Sequence, residues 1–311
     1  MMRNGPIKPS DLTKSVIAVP PLARSANGRI DRTENARIMA YARRGGVSTF
    51  LYGGNANVYH LPASEFGELL GVIADGAADD DLVIPAIGSD YGKAWDQVGV
   101  LRSAGFACAL LLPQPAVTTD SGLATGIRRL ADRLGYPISI YLREERYLSV
   151  TSIAKLFEDG AVSSVKYAVG RPNPVGDSYL EGLLHAVGPS RIVSGSGERP
   201  VLVHLGKYGL AGFTSGLVCI APRLSTKLFK ALQRGDTVSA QQILSEFLPL
   251  EDLRDAASPI RTLHFAVGCA GIAKTGPLMP FLSDIEDRDI IPAIEAATRA
   301  LLASEANAAK D

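Results

Sequence analysis

The 311-residue sequence predicts an α/β fold, a (β/α)8 TIM barrel carrying a C-terminal helical extension. Three observations lead there. Eight short apolar runs alternate with eight helix-like stretches between residues 15 and 233, joined by short links, which is the pattern of a closed parallel barrel. The first run stops at Pro20-Pro21-Leu22, whereas a doubly wound open sheet, the other fold built from these units, carries a glycine fingerprint at its first turn. Beyond Gln233 the strand pattern ends and only helical spacing continues.

Taken in order, Ser15-Val16-Ile17-Ala18-Val19 is the first strand. Asn27-Gly28 marks a turn, and residues 31–44 have helical spacing through Ile38, Met39 and Tyr41, closed by Gly45-Gly46. Residues 47–52 form the second strand, which runs into the loop Gly53-Gly54-Asn55-Ala56-Asn57. Ser64 is expected to cap the next helix, through Phe66, Leu69, Leu70 and Ile73, with Glu65 and Glu68 at its positive end. Strands over 81–87, 106–112 and 137–141 then alternate with helices over 91–104, 121–134 and 150–159. Residues 161–169, bounded by Gly160 and Gly170, read as strand six, followed by a helix over 176–187. Strand seven covers 191–193 and ends at Gly195-Ser196-Gly197, with a helix near 200–205. Strand eight covers 210–214, and its helix 223–233.

The barrel is thus expected over residues 1–234 and a helical appendage over 235–311. The appendage shows apolar spacing at Ile243, Phe247 and Leu250, at Ile260, Leu263, Phe265 and Val267, and at Ile290, Ile291, Ile294 and Leu301. Residues 304–311 are expected to fray. The 32 basic residues equal the 32 acidic ones, so there is no net field to attract nucleic acid or an anionic membrane. Cys108, Cys219 and Cys269 are far apart and odd in number, which fits a reducing compartment and neither a disulfide framework nor a zinc pattern. His60, His185, His204 and His264 lack close metal-ligand spacing. Residues 1–12 have no apolar signal core, and no run approaches the ~18 residues a spanning helix needs. The expectation is a cytoplasmic protein that binds no metal.

Lys166, in the run Ser163-Ser164-Val165-Lys166-Tyr167-Ala168-Val169, is the residue that points to chemistry. Within a buried strand an ammonium is expensive to desolvate. The lysine either packs its stem and sends its charge to water, or burial keeps its amine neutral and nucleophilic. The barrel favours the second reading, because chemistry in this fold lies at the C-terminal ends of the strands. Lys166, Tyr141 on strand five, the Gly53–Asn57 loop and the Gly195–Gly197 loop all fall at that end.

The order of strand-two glycine loop, strand-five tyrosine and strand-six lysine resembles the dihydrodipicolinate synthase and N-acetylneuraminate lyase superfamily of Schiff-base aldolases. Its most specific parts are Asn27-Gly28-Arg29-Ile30-Asp31, residues 46–61 and Ser164-Val165-Lys166. The resemblance implies that Lys166 forms an imine with pyruvate or another 2-keto acid and that the Tyr141 hydroxyl shuttles protons. It implies substrate contacts at Gly54, Asn55, Arg146, Arg143 and Ala211, with Arg146 aligned with an arginine that binds the second substrate's carboxylate in dihydrodipicolinate synthase. No cofactor is implied. The expected partners are a 2-keto acid with an aldehyde or a sugar acid, and further copies of the chain in a dimer or tetramer.

Two departures bear on activity. The family's strand-two loop has a Gly-Thr-Thr-Gly-Glu character, and here no hydroxyl is left to relay a proton to Tyr141. A relay tyrosine usual after strand four is also absent from Leu112-Pro113-Gln114-Pro115. These make a role in lysine biosynthesis doubtful and leave imine chemistry intact. Two functions remain in play. One is a lyase that adds or cleaves an aldehyde or dehydrates a 2-keto-3-deoxy acid. The other is a catalytically degenerate sensor that binds a keto acid without turnover.

Overall fold

Eight parallel strands close into a barrel in sequence order: β1 (Ile17–Ala18), β2 (Thr49–Tyr52), β3 (Leu82–Ile87), β4 (Leu110–Leu111), β5 (Ile138–Leu142), β6 (Val162–Tyr167), β7 (Ile192–Ser194) and β8 (Gly212–Ser215). The computed structural model describes residues 5–114 and 116–309. A short helix α1 (Pro9–Leu12) precedes β1. Helices α2 (Arg32–Arg44), α3 (Phe66–Gly76), α4 (Tyr91–Ser103), α5 (Asp120–Leu134), α6 (Val150–Glu158) and α7 (Ser178–Val187) follow the first six strands. A π-helical turn at Leu202–Lys207 links β7 to β8, and α8 (Pro222–Gln233) follows β8.

The helices start where side chains satisfy their first free amides. Asp31, Asp90, Thr119, Ser149 and Asp177 each accept a hydrogen bond from the amide three residues on. Ser64 does not act in this way. It lies in a 3-10 turn, Ala63–Glu65, and α3 begins at Phe66 with no side-chain cap. Strand four is also shorter than the apolar run suggested. Residues 106–112 are all buried, but only Leu110 and Leu111 pair with β3 and β5, so burial outruns the ladder there.

Side chains alternate between the barrel interior and the surrounding helices. Ile17, Leu51, Ile84, Leu110, Val193 and Thr214 face inward, and Ile7 and Leu12 from the N-terminal segment close the floor. Facing the same interior, Ser139 on β5, paired with Leu110, and Ser164 on β6 share a hydrogen bond inside the barrel. Two residues further along the same faces stand Tyr141 and Lys166.

Beyond the barrel come α9 (Thr237–Ala256), α10 (Pro259–Cys269) and α11 (Ile291–Ala308). The fraying expected over residues 304–311 is not what the described residues have; residues 310 and 311 lie outside them. α11 runs on to Ala308, and Glu305 is 3% exposed. Its carboxylate accepts from the amides of Arg223 (3.1 Å) and Leu224 (2.9 Å), capping α8, whose own N-cap residue Ala221 has no side chain for the task. The segment before α11 also touches the barrel: the Lys274 amide donates to Glu34 (2.8 Å), and Asn57 donates to the Met279 carbonyl (3.2 Å). No helix among the described residues is long and apolar enough to cross a membrane.

Candidate active site

Lys166 and Tyr141 are directly paired across β5 and β6. Parallel pairing puts their side chains on the same inner face, and the Lys166 Nζ lies 4.0 Å from the centroid of the Tyr141 ring. Lys166 is 7% exposed. Burial, reinforced by the positive charges of Arg143 and Arg254, lowers its pKa from 10.5 to about 7. Desolvation and like charge act in the same direction on an ammonium. About half of such amines are neutral at neutral pH, and a neutral amine is a nucleophile towards carbonyl carbon. Gly195, after β7, is where this stem needs room: a Cβ there would stand 2.9 Å from Lys166 Cγ and 2.9 Å from the Tyr167 carbonyl oxygen.

Tyr141 keeps its proton at neutral pH, because burial raises its pKa while Arg143 opposes the rise. Around it stand two further tyrosines that the sequence reading did not single out. Tyr59, from the 3-10 turn after the β2 loop, is pushed up to about 12 by burial and by Tyr141, with the Arg143 guanidinium against its hydroxyl opposing the rise. Tyr147, after β5, is raised by burial, and its hydroxyl accepts from the Gln114 amide at 3.5 Å. Tyr59, Tyr147, Arg143, Pro113 and Glu144 line an open cavity of about 370 Å³ beside Tyr141. Pro115, at the position of the absent relay tyrosine, lies outside the described residues.

The other expected contacts separate. Arg143 and Arg146 are both exposed, but Arg143 lines that cavity and its charge acts on Lys166, whereas Arg146 does not line it. In the β2 loop the amides of Asn57 and Val58 turn back onto the carbonyls of Gly54 and Gly53. The Asn55 side-chain amide donates to the Val19 carbonyl at 2.9 Å. Ala211 has to be corrected. It precedes β8 at its N-terminal end, and Gly212 beside it packs against the Leu12 carbonyl at the barrel floor. With Thr214 facing inward, the period of two turns Ala211 outward, so it is no substrate contact at the mouth.

A buried charged cluster from outside the barrel completes the mouth. Arg254 and Glu251 on α9 are 6% and 3% exposed and are paired through Arg254 Nη1 at 2.9 and 3.0 Å. Glu198, after β7, is fully buried and accepts from Ser215 and from Ser225 (3.0 Å). Burial and the neighbouring Glu251 carboxylate push its carboxyl well above the usual range. Sequence spacing held a signal for the α9 pair: Leu244, Phe247, Glu251 and Arg254 recur at three and four residues, which places two charges on the helix's buried stripe. By contrast Ser194 and His204, 2.8 Å apart, lie outside the barrel wall. Burial lowers His204 to about 4, and no carboxylate hydrogen-bonds the ring among the described residues.

Comparison with known proteins agrees with this arrangement. Residues 13–293 match the family model of the Dihydrodipicolinate synthetase family. A protein of Allorhizobium ampelinum named as a probable 5-dehydro-4-deoxyglucarate dehydratase is 24% identical over 257 residues, covering 78% of this chain and 80% of its own. The fold is shared with dihydrodipicolinate synthase from Bacillus clausii, with a TM-score of 0.80, 19% identity and coverage of 94% of this chain and 98% of that one. It is shared too with YagE of E. coli K12, solved in complex with pyruvate, with a TM-score of 0.81, 17% identity and coverage of 92% and 98%.

Proposed function

The chain belongs to the dihydrodipicolinate synthetase family and is a lyase, and from that premise we propose that it dehydrates a 2-keto-3-deoxy sugar acid through an imine on Lys166. The observation that carries the reading is the buried, half-neutral amine of Lys166 stacked on the Tyr141 ring. Dehydration is preferred to aldol chemistry because the relatives are named for dehydration of a deoxyglucarate. A glucarate carries a carboxylate at each end. Arg143, on the wall of the 370 Å³ cavity, supplies a planar cation for the far one.

The chemistry follows from the groups present. The Lys166 amine adds to the C2 carbonyl, and the Tyr141 phenol gives its proton to the departing hydroxyl, which leaves as water. The resulting iminium and Arg143 stabilise the Tyr141 phenolate. That phenolate takes the C3 proton, and the electron pair enters the imine to give an enamine. The enamine expels the C4 hydroxyl, which leaves as water with the proton returned by Tyr141. Addition of water to C2 releases the product and the free amine. The net change is loss of one water from the substrate.

Borohydride reduction in the presence of pyruvate, read by intact mass, tests the imine. The expected result is a stoichiometric adduct that disappears in Lys166→Ala. Its absence from the native chain, together with thermal stabilisation by the keto acid, would instead favour a binding protein without turnover.

A further inference from the structure

Tyr59 is held on the wall of the cavity beside Tyr141 by contacts from two elements. Asn57 takes a left-handed backbone (φ 52°), which an asparagine tolerates, and the chain reverses there. The amides of Asn57 and Val58 close onto the carbonyls of Gly54 and Gly53 at 2.9 and 3.3 Å. The 3-10 turn Val58–His60 then brings the Tyr59 ring over Gly54, where a built Cβ would stand 3.8 Å from Tyr59 Cε2. From α4, the Lys93 ammonium donates to the carbonyls of Val58 (3.0 Å) and Tyr59 (2.9 Å). A charge bonded to two carbonyls of one short turn fixes the backbone that aims the ring.

The surroundings of that ring suit a proton donor. Tyr59 is half-buried and shares the cavity of about 370 Å³ with Arg143, Glu144, Pro113 and Tyr147. Burial keeps its phenol protonated at neutral pH, and the Arg143 guanidinium against its hydroxyl stabilises the phenolate left once the proton is given. Tyr141, by contrast, stands against Lys166, so its hydroxyl is placed for C2 and C3. The carbons beyond C3 extend away from Lys166 and reach the cavity that Tyr59 lines. Tyr147, on the same cavity, has its hydroxyl turned to the Gln114 amide.

We infer that Tyr59 is a second catalytic phenol, which protonates the C4 hydroxyl as the enamine expels it. This rests on the reading that a 2-keto-3-deoxy acid is dehydrated on Lys166, and it assigns the step at C4 to a residue of the turn after β2. The protons balance between the two phenols. Tyr141, as phenolate, removes the C3 proton, and Tyr59 gives its own proton to the C4 oxygen as the C4–O bond breaks. The proton on Tyr141 then passes to the Tyr59 phenolate, so what Tyr141 returns travels through Tyr59. One water leaves, and Tyr59 ends protonated as it began.

A leaving group that needs no proton isolates this role. Single-turnover elimination of a 2-keto-3-deoxyhexarate is compared with that of its 4-deoxy-4-fluoro analogue, which expels fluoride, in the native chain and in Tyr59→Phe. Loss of a general acid should slow departure of the hydroxyl by about a hundredfold or more, and of fluoride by less than about tenfold. Borohydride trapping of pyruvate and exchange of its methyl protons in deuterated water need only Lys166 and Tyr141. Both should match the native chain in Tyr59→Phe, which also shows that the variant is folded. Hydroxyl departure indifferent to the substitution, both eliminations falling together, or pyruvate exchange lost with them overturns the assignment and leaves the imine standing. A native chain that forms no pyruvate adduct, or eliminates neither group, overturns the underlying reading and this step with it.

Discussion

Lys166 is a lysine whose environment opposes its charge. A fall from 10.5 to about 7 corresponds to ~5 kcal/mol held against the protonated form. The folded value is depressed, so this penalty is fully present below pH 7 and is relieved as pH rises towards the unfolded value. The same shift sets the rate of attack on a ketone. Imine formation at fixed pyruvate should rise with pH along a limb with a midpoint near 7 and level off above about 8.5, measured by quenched borohydride trapping between pH 5.5 and 9.5. A limb still rising at pH 9.5 would mean the amine is not desolvated. At this scale the sequence was informative where an expensive residue sat in a recognisable element: a lysine in a buried strand and a tyrosine on the strand before it. It was silent on Tyr59 and Glu198, which owe their places to loop paths. It misled at Ala211, because a shift of strand phase by one residue reverses which way a side chain faces.

At the scale of elements, most of the barrel was legible because its units are local. A short apolar run and a capped helix are each written in consecutive residues, as at Asp31, Thr119 and Asp177. What failed was long-range. Ser64 has the chemistry of a cap, but the chain there turns as a 3-10 helix. Glu305 has no cap signature in its own neighbourhood, yet it serves helix α8 some eighty residues away. That bond pair explains why α11 does not fray. Glu305→Ala should destabilise the fold by about 1–3 kcal/mol, since two amides at a helix N-terminus lose a charged acceptor, and Glu305→Gln should recover part of the loss. Urea unfolding midpoints at constant slope provide the measurement. No change in Glu305→Ala would show that water satisfies the α8 amides equally well.

For the whole molecule, the division at residue 234 follows the pattern of strands and helices, but the contacts do not respect it. Helix α9 sends Glu251 and Arg254 into the barrel mouth, α11 caps α8, and the segment between α10 and α11 bonds to Glu34 and Asn57. The buried side chains form one continuous cluster from Ile7 to Ala308. Helices that only rested on the barrel would unfold separately, whereas helices that share its core and satisfy its free amides are expected to unfold with it. Trp95, the one tryptophan of the chain, is on α4 and reports the barrel alone. Its fluorescence and the far-ultraviolet circular dichroism, which weighs the long helices α9 and α11 heavily, should give one coincident urea transition. A helical signal that declines before Trp95 responds would mark residues 235–311 as an independent unit.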